Sequence, residues 1–142
     1  MRVAMKKQAG FSLIELVVAA ALIGIVAAIA LPSYQRQIEK TRRGDAQGAL
    51  LGLANAMERY YVDNRTFVGA DPATLYSAKS PVDGAEVYYA LEIQAATRRA
   101  FTLQAVPKNA QANDKCGTLT LTRTGTRGVT GGSLPVEQCW RS

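Results

Sequence analysis

Gly10-Phe11-Ser12-Leu13-Ile14-Glu15 opens a run that stays apolar from residue 16 to residue 31 and meets Pro32 at its end. Residues 11–31 make 21 positions, and an α-helix of that length is about 30 Å long, the thickness of a bilayer's hydrocarbon core. The run is long enough to span a membrane. Glu15 is its single charge. A carboxylate in such a span costs roughly 2.5–3.5 kcal/mol near the bilayer centre and less toward the edge, which marks it as a functional candidate in need of a partner.

The preceding residues suggest that partner. Arg2, Lys6 and Lys7 precede the run without an intervening acid, and positive charge beside an apolar segment keeps the N-terminus in the cytoplasm. Cleavage after Gly10 would place a new α-ammonium on Phe11, one helical turn before Glu15. The two charges would neutralise each other within one chain at i, i+4 spacing, or between chains packed side by side.

A basic leader ending in Gly10, then Phe11, then Glu15 at the fifth position of the processed chain, then a full-length apolar helix, resembles the class III signal of type IV pilins and pseudopilins. The resemblance implies cleavage between Gly10 and Phe11 by a prepilin peptidase, N-methylation of Phe11, and a role for Glu15 in guiding subunits into a filament. Ser12 stands where the family commonly has Thr and keeps the hydroxyl. Three plainer readings compete. A secretory signal would use the Ala28-Ile29-Ala30 match as its cleavage site, but it leaves an internal acid and a polar helical continuation unexplained. An uncut membrane anchor gives Glu15 no purpose, and a chance acid at the headgroups does not account for Gly10 and Phe11 beside it.

The 142 residues allow one domain, and about 110 remain for a globular part once leader and apolar run are set aside. The formal charge of +6 includes three leader cations, so the processed chain carries +3 on its side chains. That is no nucleic-acid footprint without a clustered patch. Cys116 and Cys139 fall beyond the membrane if the leader stays inside, and in an oxidising periplasm they are expected to pair; the alternative is two independent thiols. Closing their 24-residue loop is worth roughly 3 kcal/mol on the chain-entropy model. The placement also resembles the C-terminal disulfide-bounded region of type IV pilins, which pseudopilins of secretion systems generally lack.

Pro32 has no N–H and crowds the preceding turn, so the helix is expected to kink or loosen there, with Gly24 a second weak point. The family resemblance implies that this stretch unwinds in the filament; the plain alternative is that both residues are tolerated, as they often are in membrane helices. Beyond it, Tyr34, Ile38, Leu50, Leu53, Met57 and Tyr60 recur at helical intervals. An amphipathic continuation over residues 32–64 follows, its apolar face carrying the globular part. Arg36, Glu39, Lys40, Arg43 and Glu58 are assigned to the opposite face, toward water or neighbouring subunits. Gly44, Gly48 and Gly52 would let another element approach closely.

Residues 65–86 read as a connecting loop, with Asp71-Pro72 able to start one helical turn. Apolar and polar residues then alternate over 87–93, 101–105 and 118–122, with a short strand at Val129. The expected fold is α+β: a long N-terminal helix, apolar in its first half, with an antiparallel sheet of about four strands on its C-terminal half. The organisation is a leader at 1–10, a transmembrane and polymerisation helix at 11–31, its amphipathic continuation at 32–64, and loop, sheet and disulfide region at 65–142.

The segment Ala54-Asn55-Ala56-Met57-Glu58-Arg59-Tyr60-Tyr61 and the Cys139-Trp140 ending are similar to PilE-type minor pilins of Gram-negative bacteria. This implies a structural subunit of a type IV pilus serving assembly, twitching motility and adhesion. Its partners would be other pilins, the prepilin peptidase and an ATPase-driven inner-membrane platform. It would reside in the inner membrane before assembly and in the extracellular pilus after it. No histidine, phosphate loop, metal-ligand cluster or nucleophile elbow is present in the sequence, so neither catalysis nor a cofactor is expected. A pseudopilin of a type II secretion system and a DNA-binding or DNA-uptake pilin are the alternatives. For the latter, Arg98, Arg99, Lys108, Lys115, Arg123, Arg127 and Arg141 face only Asp114 and Glu137 after residue 93, and Arg123 and Arg127 are the candidate phosphate contacts. Dispersed solubilising charge is the competing reading.

Overall fold

The computed structural model describes residues 10–140. The leader cations Arg2, Lys6 and Lys7, and Arg141, lie outside the described residues. The chain divides into two compact units, one ending at Gln37 and one beginning at Ile38.

Helix α1, Leu13–Asn64, contributes to both units. In the first unit its apolar side chains face outward: Leu13 is 83% exposed and Ile29 71%. An 18-residue window reaches a mean hydropathy of 2.7 with none of it buried. Residues 24 and 32 are both helical, so the helix passes the proline without a break, and the Arg36 Nε donates to the Pro32 carbonyl at 3.2 Å. Tyr34, grouped by spacing with the apolar face, is 66% exposed.

In the second unit Ala46, Ala49, Leu50, Leu53, Ala56 and Met57 form the buried stripe of α1. Spacings of three and four place them on one side of a helix. Arg43 lies on the same stripe, seven residues before Leu50, and is 9% exposed. Its assignment to the water-facing side is therefore corrected. A cation on that stripe is normally excluded from a core, but Asp114 meets it there. Glu58 is likewise held by Arg123 rather than left free. The helix ends at Asn64, whose Nδ2 donates to the Tyr60 carbonyl.

A turn of helix, α2 (Pro72–Leu75), follows, with the Asp71 carboxylate accepting from the Thr74 N–H at 3.1 Å. The sheet has five strands rather than about four: β1 (Lys79–Ser80), β2 (Tyr89–Ala96), β3 (Phe101–Pro107), β4 (Thr118–Thr122) and β5 (Arg127–Thr130). They pair antiparallel in sequence order. The additional strand, β1, pairs two residues with Tyr89 and Ala90, too few to leave an alternation in the sequence. Register places Leu91 opposite Ala105, Leu103 opposite Leu121 and Leu119 opposite Val129. These rows make the apolar face, and they share one core with Leu50, Leu53 and Met57 of α1. Each such fully buried leucine contributes roughly 1.5–3 kcal/mol.

A 3₁₀ turn, Asn109–Gln111, and a last helical turn, α3 (Val136–Cys139), complete the unit. Cys139 is bonded to Cys116, with their Cα atoms 5.7 Å apart. The tail is fixed twice more: Gln47 Nε2 donates to the Cys139 carbonyl at 2.6 Å and Trp140 Nε1 to the Gly128 carbonyl at 2.9 Å.

Candidate functional site

The head of α1 is built by Ser12 and Glu15. The Glu15 Oε2 accepts from the Ser12 N–H at 3.4 Å, and the Ser12 carbonyl accepts from the Leu16 N–H at 3.2 Å. A carboxylate three residues into a helix that reaches back to the cap residue's N–H is half of a capping box. The Ser-x-x-Glu spacing signals this in the sequence, beside the family motif. Gly10 and Phe11 precede the helix and are exposed. Glu15 and the peptide link before Phe11 therefore sit at the same solvent-accessible end, next to a run of outward-facing apolar residues.

In the second unit the arginines assigned to nucleic acid divide. Arg123 donates from Nε to one Glu58 oxygen at 2.8 Å and from a terminal nitrogen to the other at 3.2 Å. Its other terminal nitrogen donates to the Arg99 carbonyl at 2.7 Å. The guanidinium lies 5.1 Å from the Tyr61 ring centre and 4.9 Å from that of Phe67, two rings stacked at 4.8 Å. Glu58 holds the Arg123 guanidinium even more firmly protonated than usual. Arg127 begins β5 opposite Leu121, at the same end of the sheet but one strand further on, with its guanidinium 5.4 Å from the Trp140 ring centre. Sequence reasoning misses Glu58 as a partner, because 65 residues separate it from Arg123.

Arg98 and Arg99 occupy the turn between β2 and β3, exposed to solvent. Among the described residues no carboxylate lies in salt-bridge range of either guanidinium. Phe67 donates its N–H to the Thr97 carbonyl at 3.3 Å, which brings Arg65 to the same end of the sheet. Lys108 follows the far end of β3, and Lys115 precedes β4 at that far end. The basic residues of the last third thus form no single patch: Arg98, Arg99, Arg123 and Arg127 lie at one end of the sheet and Lys108 and Lys115 at the other.

A buried polar cluster sits beside the disulfide. Asp114 accepts from Arg43 Nε at 3.0 Å and from a second Arg43 nitrogen, from the Tyr89 hydroxyl, from Gln111 Nε2 and from the Cys116 N–H. Burial alone would push its carboxyl up, but the hydrogen bonds from Arg43, Tyr89 and Cys116 outweigh it and hold the group below the ordinary carboxylate range. Burial and the bond to Asp114 push the Tyr89 hydroxyl up. The cluster ties α1 to β2 and to the loop before β4, and among the described residues the buried Gln111 Oε1 has no partner.

The family model described as "Type IV minor pilin ComP, DNA uptake sequence receptor" matches residues 32–120, more than half of the chain. The "Prokaryotic N-terminal methylation motif" matches residues 5–31. The chain is 38% identical over 80 residues to the type IV major pilin protein PilE1 of Neisseria gonorrhoeae, covering 54% of this chain and 36% of the relative. It is 45% identical over 56 residues to the fimbrial protein EcpC of Eikenella corrodens, covering 39% and 37%. These matches span little more than a third of either relative's length. Among solved structures, the non-core minor pilin PilV of Neisseria meningitidis superposes with a TM-score of 0.55 at 25% identity, over 70% of this chain and 94% of that one. A long apolar-headed helix, an antiparallel meander, a C-terminal disulfide and these matches agree: the chain belongs to the type IV pilin family.

Proposed function

We propose that this pilin is a minor subunit, processed between Gly10 and Phe11, methylated on Phe11, and polymerised through residues 11–31. Before assembly that segment lies in the inner membrane, with residues 1–10 as the leader. Afterwards it packs among the same segments of other major and minor pilins, delivered by the prepilin peptidase and the assembly platform. Residues 32–64 continue the helix and residues 65–142 form the exterior, with Gly24 and Pro32 as the points where the helix lengthens under load.

One observation carries this reading: a fully outward-facing apolar helix whose lone acid lies at its accessible head. Membrane and filament core are interchangeable solvents for such a surface, but the charge is not at home in either without a counter-ion. Cutting the chain before Phe11 creates an ammonium beside the Ser12 N–H that holds Glu15 in the uncut chain. When that ammonium belongs to a neighbouring subunit, the pair fixes axial register as well as cancelling charge. Glu15→Ala is expected to leave membrane insertion and the melting of the second unit unchanged while reducing recovery of the subunit in sheared filaments. Undiminished recovery would count against the assignment.

A second reading is favoured by the family description, a DNA uptake sequence receptor, together with the exposed Arg98 and Arg99, which have no carboxylate in range among the described residues. In it the subunit touches the nucleic-acid backbone through this turn. Binding of duplex DNA by the detergent-solubilised protein should weaken steeply with salt, and Arg98→Ala with Arg99→Ala should lower the slope of log K against log salt by about 0.9 for every phosphate that is no longer neutralised. A slope that does not change would remove the turn from the interface.

A further inference from the structure

We propose that Arg123 is a positioning residue that holds the Arg98–Arg99 turn in place for a nucleic-acid backbone, and is not itself a phosphate contact. The inference rests on the DNA reading above and names the part of this chain that makes the turn competent.

The guanidinium is already engaged. Its Nε and one terminal nitrogen are forked onto Glu58, the other terminal nitrogen is on the Arg99 carbonyl, and its plane lies near Tyr61 and Phe67. A phosphate would have to displace Glu58 from a bidentate pair, the strong geometry for arginine. With Glu58 in place, the pair also presents little net charge.

Apart from Arg123 and Phe67, the bonds that hold the turn come from its own atoms. The Thr97 hydroxyl accepts from the Arg99 N–H at 3.4 Å and from the Ala100 N–H at 3.0 Å, and the Thr97 N–H donates to the Ala100 carbonyl at 2.8 Å. Phe67 holds the Thr97 carbonyl, which leaves the Arg99 carbonyl to Arg123. Every one of these bonds fixes backbone and leaves the Arg98 and Arg99 side chains in solvent. Two cations on a fixed tip pay less ordering entropy on meeting phosphates than two on a loose one. Arg123 carries that order from α1, through Glu58, into the turn.

Arg123→Lys separates positioning from contact. Lysine keeps the charge and would still meet a phosphate, but it cannot bond Glu58 in a fork and the Arg99 carbonyl at once. The full-length protein in detergent micelles would be titrated with fluorescent duplex DNA over a salt series, with melting temperature recorded for each variant. Arg123→Lys and Arg123→Ala are each expected to weaken binding by about tenfold, the cost of ordering a turn whose backbone is no longer held, with the salt slope kept. In an Arg98→Ala/Arg99→Ala background, Arg123→Lys should weaken binding no further. Amide exchange at Arg99 and Ala100 should quicken in Arg123→Lys without DNA. Parent-like binding by Arg123→Lys, or a slope that falls by about 0.9 in Arg123→Ala, would overturn the proposal and make Arg123 a contact. If the unaltered protein binds no DNA, the DNA reading fails and the contact role with it; the exchange measurement still reports separately whether Arg123 holds the turn.

Discussion

Arg43 and Asp114 decide how the second unit responds to pH and mutation. The Asp114 side chain is fully buried and that of Arg43 is 11% exposed, so removing either partner leaves a charge inside the core, at a cost of roughly 3–5 kcal/mol. Asp114 is depressed in the folded chain relative to an ordinary carboxyl near 3.8. Between the folded and the unfolded value the unfolded chain therefore binds more protons, and stability falls as pH falls. The contribution is complete above the ordinary carboxyl range and is lost as pH drops through the depressed one. Asp114→Asn should melt well below the parent at neutral pH, and the gap in melting temperature should narrow below about pH 4. A gap that stays constant with pH would show that the carboxylate's charge is not what stabilises. Neither residue's role is legible in the sequence. Arg43 repeats the spacing of Leu50, Leu53 and Met57, yet a charge reads as solvent-facing until its partner, 71 residues on, is known to lie opposite.

Periodicity survives at the scale of the element wherever a segment is long enough to repeat. The stripe of α1, its end at Asn64, the Asp71 cap and the alternations of β2, β3 and β4 can be read from residue types alone. The two-residue β1 and the four-residue α3 cannot, because a single pairing or a single turn carries no period. The glycines show the same limit. Of Gly44, Gly48 and Gly52, expected to admit a close neighbour, only Gly52 has one, the Tyr76 ring lying where a Cβ would be. Gly48 sits mid-helix with nothing within 4 Å of that position. Gly48→Ala should therefore raise stability by about 1 kcal/mol through helix propensity. Gly117 is the opposite case: its φ is +63° and a Cβ would run into the Thr130 carbonyl and the Gly132 nitrogen. Gly117→Ala should cost about 2 kcal/mol or more through strain and backbone collision. Urea midpoints of the two variants should move in opposite directions; a fall for Gly48→Ala would contradict the open helix surface at Gly48, and a rise for Gly117→Ala the close backbone packing next to Cys116.

For the whole molecule, the polymerising end is easier to read from residue types than the exterior. Gly10, Phe11 and Glu15 stand within six residues at fixed offsets beside an apolar run, so the motif needs no tertiary structure to be seen. The end of the sheet that gathers Arg98, Arg99 and Arg123 depends on a hairpin, on the return of β4 and on Glu58 from the helix, and charge counting alone misses Glu58. Intact mass and N-terminal sequencing of the subunit recovered from sheared filaments test the polymerisation mechanism most directly. A chain beginning at Phe11 and carrying one methyl group is the expected result. A chain that still begins at Met1 in working filaments would leave Glu15 without its ammonium and contradict the mechanism.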